Sequence, residues 1–190
     1  MGNVLVKWAP HEAISDVFPE ENPAELFQKF RPIWIDLNLG KLTEENAIEL
    51  YANQFNFPKQ KIEELMGRLK THQVHLPESV ALLDKLHQSG YKLYSITDNI
   101  KEFIVYHLKN SQLLDYFLDV IVSADIGVLK PDSKIYNHLI NKHNLVPSES
   151  VFLDDAIHNI EGAKAVGLHG IHFTDATFAK TELNKLGVLI

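Results

Sequence analysis

Four side chains in this sequence stand where they could manage negative charge: Thr97, Lys130, Asp154 and Asp155. The two aspartates close an apolar run, Ser150-Val151-Phe152-Leu153-Asp154-Asp155-Ala156. That run reads as a buried parallel strand, and the C-terminal end of such a strand is where open α/β sheets place ligands. Two carboxylates ~4 Å apart repel by ~4 kcal/mol at an effective dielectric near 20, about three pKa units. Either one is protonated or a cation holds both. Mg²⁺ is the economical solution, because it prefers oxygen, keeps several waters and takes only one or two carboxylates together with phosphate oxygens. The plain alternative is that Asp155 merely caps the helix that follows.

Thr97 and Asp98 lie in Ser95-Ile96-Thr97-Asp98-Asn99, where a second apolar run ends. A hydroxyl and backbone N–H groups at such a corner, facing a helix N-terminus, suit a phosphate oxygen. A simple cap by Asp98 or Asn99 is again the competing reading. Lys130 precedes Pro131, which steers it into extended backbone and aims a point cation out of its loop. Most lysines are merely solvated, so each of these signals is weak by itself. Together they gain force, since all three fall at the ends of successive strands, and in a parallel sheet those ends share one edge. A hydroxyl, an ammonium and a carboxylate pair at one crevice are most of what phosphoryl transfer needs; the missing part is a nucleophile or positioned water.

The elements that must position these groups follow from hydrophobic rhythm. From Pro10 to about His75 the pattern is helical, over His11 to Val17, Ala24 to Leu37, Glu44 to Ala52 and Lys59 to Leu69, with Gly40 and Pro58 as punctuation. The rhythm changes near Val74 to Pro77. Helix Glu78 to Gln88, strand Lys92 to Ile96, helix Ile100 to Asn110, strand Val120 to Val122 and helix Ser133 to His143 come next. Strand Val151 to Leu153, helix Glu161 to Val166 and strand Gly170 to Phe173 complete the series, while Leu186 to Ile190 fits either a short strand or a helix end. Strands alternating with helices predict an α/β fold with one parallel, Rossmann-like sheet covered by helices on both faces. The division predicted is a core of residues 1–8 and 76–190 with an all-helical insertion, residues 9–75.

A chain of 190 residues with net charge −7 and only two arginines, Arg31 and Arg68, lacks the clustered basic face of a nucleic-acid binder. The absence of cysteine removes thiolate, disulfide and zinc–cysteine chemistry. No run is long enough to span a membrane, no signal peptide is apparent, and Val6 stands where a myristoylation motif needs Ser or Thr. A cytoplasmic location, no membrane or nucleic-acid partner, and a monomer or homodimer are the expectations.

The order Thr97, then Lys130-Pro131-Asp132-Ser133-Lys134-Ile135-Tyr136, then Phe152-Leu153-Asp154-Asp155-Ala156 with Asn159 and Gly162-Ala163, resembles the haloacid dehalogenase superfamily. Within it, the chain is most similar to the sugar-phosphate phosphatase branch of the subfamily with a small helical cap. The resemblance implies Mg²⁺-dependent hydrolysis of a small phosphorylated metabolite through an aspartyl-phosphate. Thr97 and Asp98, Lys130 and Asn3 would bind phosphate, with Thr97, Lys130 and Asp155 catalytic. Asp155, Asp154 and the Gly2 carbonyl would hold the metal. The family's nucleophilic aspartate falls one position before Met1, so an incomplete N-terminus is expected, and residues 1–190 alone are expected to be inactive unless Val4 to Val6 or Leu186 to Ile190 fills the place of the strand that would carry it.

Gly2 also stands where many relatives carry an acid/base carboxylate. A dehalogenase is disfavoured, because those relatives lack the acidic pair. Receiver domains share Asp-Asp, Thr and Lys, but with the acidic pair first in the chain. The competing class is a metabolite- or partner-binding module of the same fold without a nucleophile. A metal-stabilised structural partner is a third, weaker one. Among other residues, Arg31 is the cap-side candidate for substrate contact, Trp8 and Trp34 read as core, His158 after the acidic pair is a minor candidate for the crevice, and His169 and His172 read as structural.

Overall fold

The computed structural model describes residues 1–190. Four helices come first: α1 (Pro10–Val17), α2 (Pro23–Asn38), α3 (Glu44–Phe55) and α4 (Lys59–Thr71). α2 starts where Asn22 accepts hydrogen bonds from the Ala24 and Glu25 amides, with Pro23 in the first turn, where a missing N–H costs nothing. Thr43 opens α3 in the same manner, and Asn56 ends it in the left-handed conformation. The apolar faces of all four helices meet in one cluster, with Phe30, Leu37, Tyr51, Ile62 and Met66 at its centre. Ile100 and Phe103 belong to the same cluster.

The remainder alternates: α5 (Pro77–Gln88), β1 (Tyr94–Thr97), α6 (Lys101–Asn110), β2 (Asp119–Val122), α7 (Ser123–Ile126), α8 (Ser133–His143), β3 (Val151–Asp154), α9 (Ile157–Ala165), β4 (His169–His172) and α10 (Ala176–Lys185). α8 has its expected bounds because Asp132 caps it through the Lys134 amide and Asn144 closes it in the left-handed region. α9 begins earlier than the pattern suggests, with no side-chain cap to announce it. α10 has no counterpart in the sequence reading, although Asp175 accepts from the Phe178 amide at its start.

Where one sheet is expected, the structure has two parallel pairs. β1 runs beside β2, Tyr94 opposite Asp119 through Thr97 opposite Val122. β3 runs beside β4, Val151 opposite His169 through Asp154 opposite His172, and no ladder joins the pairs. The first residues do not bridge them, for a local reason. Asn3 takes a positive φ of 53°, its N–H donates to the Val6 carbonyl at 2.7 Å, and the Leu5 and Val6 amides turn back to the Met1 carbonyl. What pairing this segment makes beyond the turn is with the stretch before α5, where Val6 bridges His75 and the Lys7 amide donates to the Val74 carbonyl at 2.8 Å, not with either strand pair. Leu186 to Ile190 form no strand either; the Val188 amide folds back onto Leu183. α8 packs on β1 and α9, and α9 on β3 and β4, while α10 joins α5 and β4.

Candidate active site

Thr97 is the last residue of β1 and Asp154 the last of β3. A cavity of ≈ 240 Å³ opens beyond both ends, between them, the first residues of the chain and α2. Gly2, Asn3, Thr97, Asp98, Lys130, Asp154 and Asp155 all line it. A roomier hollow of ≈ 360 Å³ between β4 and α10 contains none of these residues.

Asp154 is the most constrained group. One carboxylate oxygen accepts from the Ala156 amide at 3.0 Å and from Asn159 Nδ2 at 2.8 Å. The other receives Lys130 Nζ at 2.6 Å, with both side chains nearly sealed from solvent. Burial pushes Asp154 upward, but Lys130 and the two amide donors outweigh it and hold the carboxyl below its ordinary range. Lys130 Nζ also sits 5.7 Å from the centre of the Phe152 ring. Its loop, in which the Lys130–Pro131 peptide is cis, is pressed against α9 at Gly162. A β-carbon there would lie 2.6 Å from the Pro131 carbonyl oxygen. The glycine of the motif is thus a steric requirement for bringing the lysine loop to the acidic pair.

The capping alternatives do not describe the structure. Asp98 accepts the Lys130 backbone N–H at 3.0 Å. Neither it nor Asn99 supplies a side-chain cap to α6, whose N-cap is Ile100. Burial, the dominant influence, pushes Asp98 above its ordinary value against the pull of Lys130. Asp155 does not cap α9, whose N-cap is Ala156. It is exposed, and its side chain has one partner, Asn3 Nδ2 at 3.1 Å. Its backbone carbonyl meets His172 Nε2 at 2.9 Å, a structural role for that histidine. His169 likewise faces a backbone oxygen, that of Ser148.

The cavity is short of positive charge. Asp98, Asp154 and Asp155 line it against a single cationic side chain, Lys130, already paired. No three acidic or histidine side chains converge to cage an ion by themselves. The donors present nevertheless suit a hard, hydrated divalent cation: the unpaired oxygen of Asp155, the Gly2 carbonyl, which accepts no hydrogen bond, and Asn159 Oδ1, buried without a partner. A buried oxygen left without a partner costs about 1–3 kcal/mol, a cost that water or a cation at this place would remove.

Trp8 and Trp34 pack on the helical cluster, as their spacing implies. Arg31 is exposed and does not line the cavity, whereas Trp8 and Trp34 do, stacked with ring centres 5.6 Å apart. Asn38 and Gln73 line it as well. Asn38, the last residue of α2, is held by its backbone: Ser123 Oγ donates to its carbonyl at 2.6 Å and accepts the Asn99 amide at 3.0 Å. Gly40, with φ +68°, makes this docking possible, since a β-carbon there would lie 2.1 Å from the Ala124 carbonyl oxygen.

Residues 11–173 match the sequence profile of the haloacid dehalogenase-like hydrolases. The chain belongs to that family. It is 27% identical to the sesquiterpene phosphatase astK of Aspergillus oryzae over 98% of this chain and 93% of that protein. It is also 27% identical to a phosphoglycolate phosphatase of Aliivibrio fischeri, over 74% of this chain and 66% of the other. A HAD family enzyme from Bacteroides thetaiotaomicron, solved in complex with magnesium and inorganic phosphate, has the same fold, with TM-score 0.74 at 18% identity over 90% of this chain and 89% of that one. The magnesium-bound hydrolase YfnB of Bacillus subtilis superposes with TM-score 0.71 over 98% of this chain and 96% of its own, at 16% identity. No helix of the protein is long and apolar enough to cross a membrane.

Proposed function

We propose that this chain forms the phosphate- and metal-binding body of a Mg²⁺-dependent hydrolase of small phosphate monoesters, in the sugar-phosphate phosphatase branch of its family. In this reading residues 1–8 and 76–190 are a Rossmann-like core, the two strand pairs being parts of one layer, and residues 9–75 are its cap. The carrying observation is the rim itself: Thr97, Lys130, Asp154 and Asp155 face one cavity, tied by the 2.6 Å ion pair.

Thr97, which makes no side-chain hydrogen bond within the protein, would donate its hydroxyl to a phosphoryl oxygen. Asn3 and the region of Asp98 would bound the same oxygens. Lys130 would offset the charge that spreads over them as the ester bond breaks. Asp155, the Gly2 carbonyl and Asp154, which is already bonded and supports from behind, would hold Mg²⁺. When bound, the ion supplies the positive charge without which a phosphate dianion would meet three carboxylates. Asp98 accepts the Lys130 amide and Asp154 the Lys130 ammonium, and in this reading neither supplies the attacking carboxylate of an aspartyl-phosphate route.

The test compares residues 1–190 with a chain carrying a Phe-Asp-bearing strand immediately ahead of Met1, both assayed on an aryl phosphate with Mg²⁺. Turnover confined to the longer chain, lost with Asp155→Ala and with chelator, is the expected result. Turnover indifferent to both treatments would end the reading. Phosphate binding by both chains with turnover by neither would favour a metabolite-binding module of the same fold.

A further inference from the structure

The cap-side wall of the cavity holds polar groups that the protein does not use. Asn38 is 8% exposed, lines the cavity, and its side-chain oxygen is buried without any partner. Its carboxamide makes no hydrogen bond to another residue, although its backbone is fixed by Ser123. Trp34 lies one helical turn earlier, and its ring stacks on Trp8 and meets Phe103 edge-on at 5.7 Å. Trp8 is fastened to the rim, because its backbone N–H donates to Asn3 Oδ1, and Asn3 in turn donates to Asp155. Neither indole N–H is used by a protein acceptor. The wall is therefore partly aromatic and uncharged, with one buried polar atom, Asn38 Oδ1, left without a partner.

We propose that Trp8, Trp34 and Asn38 form the subsite for the alcohol portion of the ester, and that they select a neutral, hydroxyl-bearing group over one carrying a carboxylate. This rests on the phosphate reading of the rim. A hydroxyl both donates and accepts, so it can satisfy a carboxamide that presents both functions. The C–H face of a polyol suits an indole surface. A second carboxylate would find no cation, since Lys130 belongs to the phosphate end and is already paired. It would also add charge to a cavity lined by three aspartates. A long hydrocarbon chain is disfavoured too, because apart from Met1 and the two tryptophans the lining is polar or charged.

The experiment measures binding to residues 1–190 in Mg²⁺ by calorimetry, so that it does not depend on turnover. The probes are inorganic phosphate, 3,4-dihydroxybutylphosphonate and 3-phosphonopropionate. The dihydroxy compound is expected to bind at least tenfold more tightly than the carboxylated one. Asn38→Ala is expected to weaken the dihydroxy compound by roughly tenfold, the scale of one hydrogen bond, and to leave inorganic phosphate unchanged; Trp8→Leu gives the same pattern with a smaller loss. Equal weakening of phosphate and the dihydroxy compound by Asn38→Ala would show a merely structural role and overturn the subsite. So would a carboxylated probe that binds the unaltered protein as tightly. Phosphate that fails to bind, or binds regardless of Lys130→Ala, defeats the rim reading and the subsite with it.

Discussion

The two walls of the cavity are finished to different degrees. On the core side, Asp154 takes three donors and Asp98 takes the Lys130 amide. On the cap side, Asn38 has an unpartnered carboxamide, and two indoles lean on each other. The core wall is organised before anything binds, as stabilisation of developing charge requires. The cap wall is completed by whatever it holds. In the proposed reading, the contrast separates what all phosphate esters share from what distinguishes one from another.

The largest expected effect tests how far the core wall depends on its ion pair. Lys130→Ala leaves Asp154 buried and uncompensated, so a loss of about 3–5 kcal/mol in urea unfolding is expected; a loss below 1 kcal/mol would mean that water reaches the carboxylate. Next comes the comparison of the two asparagines. Asn159→Ala removes a donor to a charged group and should cost about 1.5–3 kcal/mol. Asn38→Ala removes an amide that bonds to nothing and should cost about 1 kcal/mol or less in the same measurement. Equal costs would erase the distinction between the walls.

A smaller effect lies in acid titration. Asp98 is pushed above its ordinary 3.8 chiefly by burial. Its favourable contribution is thus fully present below that value and lost as pH rises through the raised one. Asp154 is held below 3.8, so its contribution is present above that value and lost as pH falls through the depressed one. Asp98→Asn keeps an acceptor for the Lys130 amide. It should therefore melt above the unaltered protein at pH 7 and show no such advantage at pH 3; an equal advantage at both would contradict the burial argument. The smallest stability effect belongs to Asp155→Ala, exposed and outside any ion pair, at within about 0.5 kcal/mol. The same change should abolish the Mg²⁺-dependent rise in melting temperature.

The core wall is legible in the sequence because its logic is local. An apolar run ending in carboxylates marks a strand end, and parallel strands bring such ends together. Even there the capping alternatives for Asp98 and Asp155 can be dismissed only with Ile100 and Ala156 seen as the caps. The cap wall has no local signature. Trp34 follows helical spacing and packs on the apolar cluster as that spacing implies, but its ring also lines the cavity, while Arg31 faces solvent. Apolar runs identify the strands but do not pair them, so the two separate ladders could not be read from the sequence. The turn at Asn3 closes on the Val6 carbonyl, which keeps Val4 to Val6 from extending as a strand.

Ser123, wholly buried, touches both walls through a single oxygen: one bond to the α2 terminus and one to the loop after Thr97. On the proposed subsite, mutational drift on the exposed turns of residues 9–75 would remodel the choice of ester without passing through this hydroxyl. Drift at Ser123 has no such freedom. It would shift selectivity and phosphate affinity together, so descendants of this chain with new preferences should keep a small hydroxylated residue there.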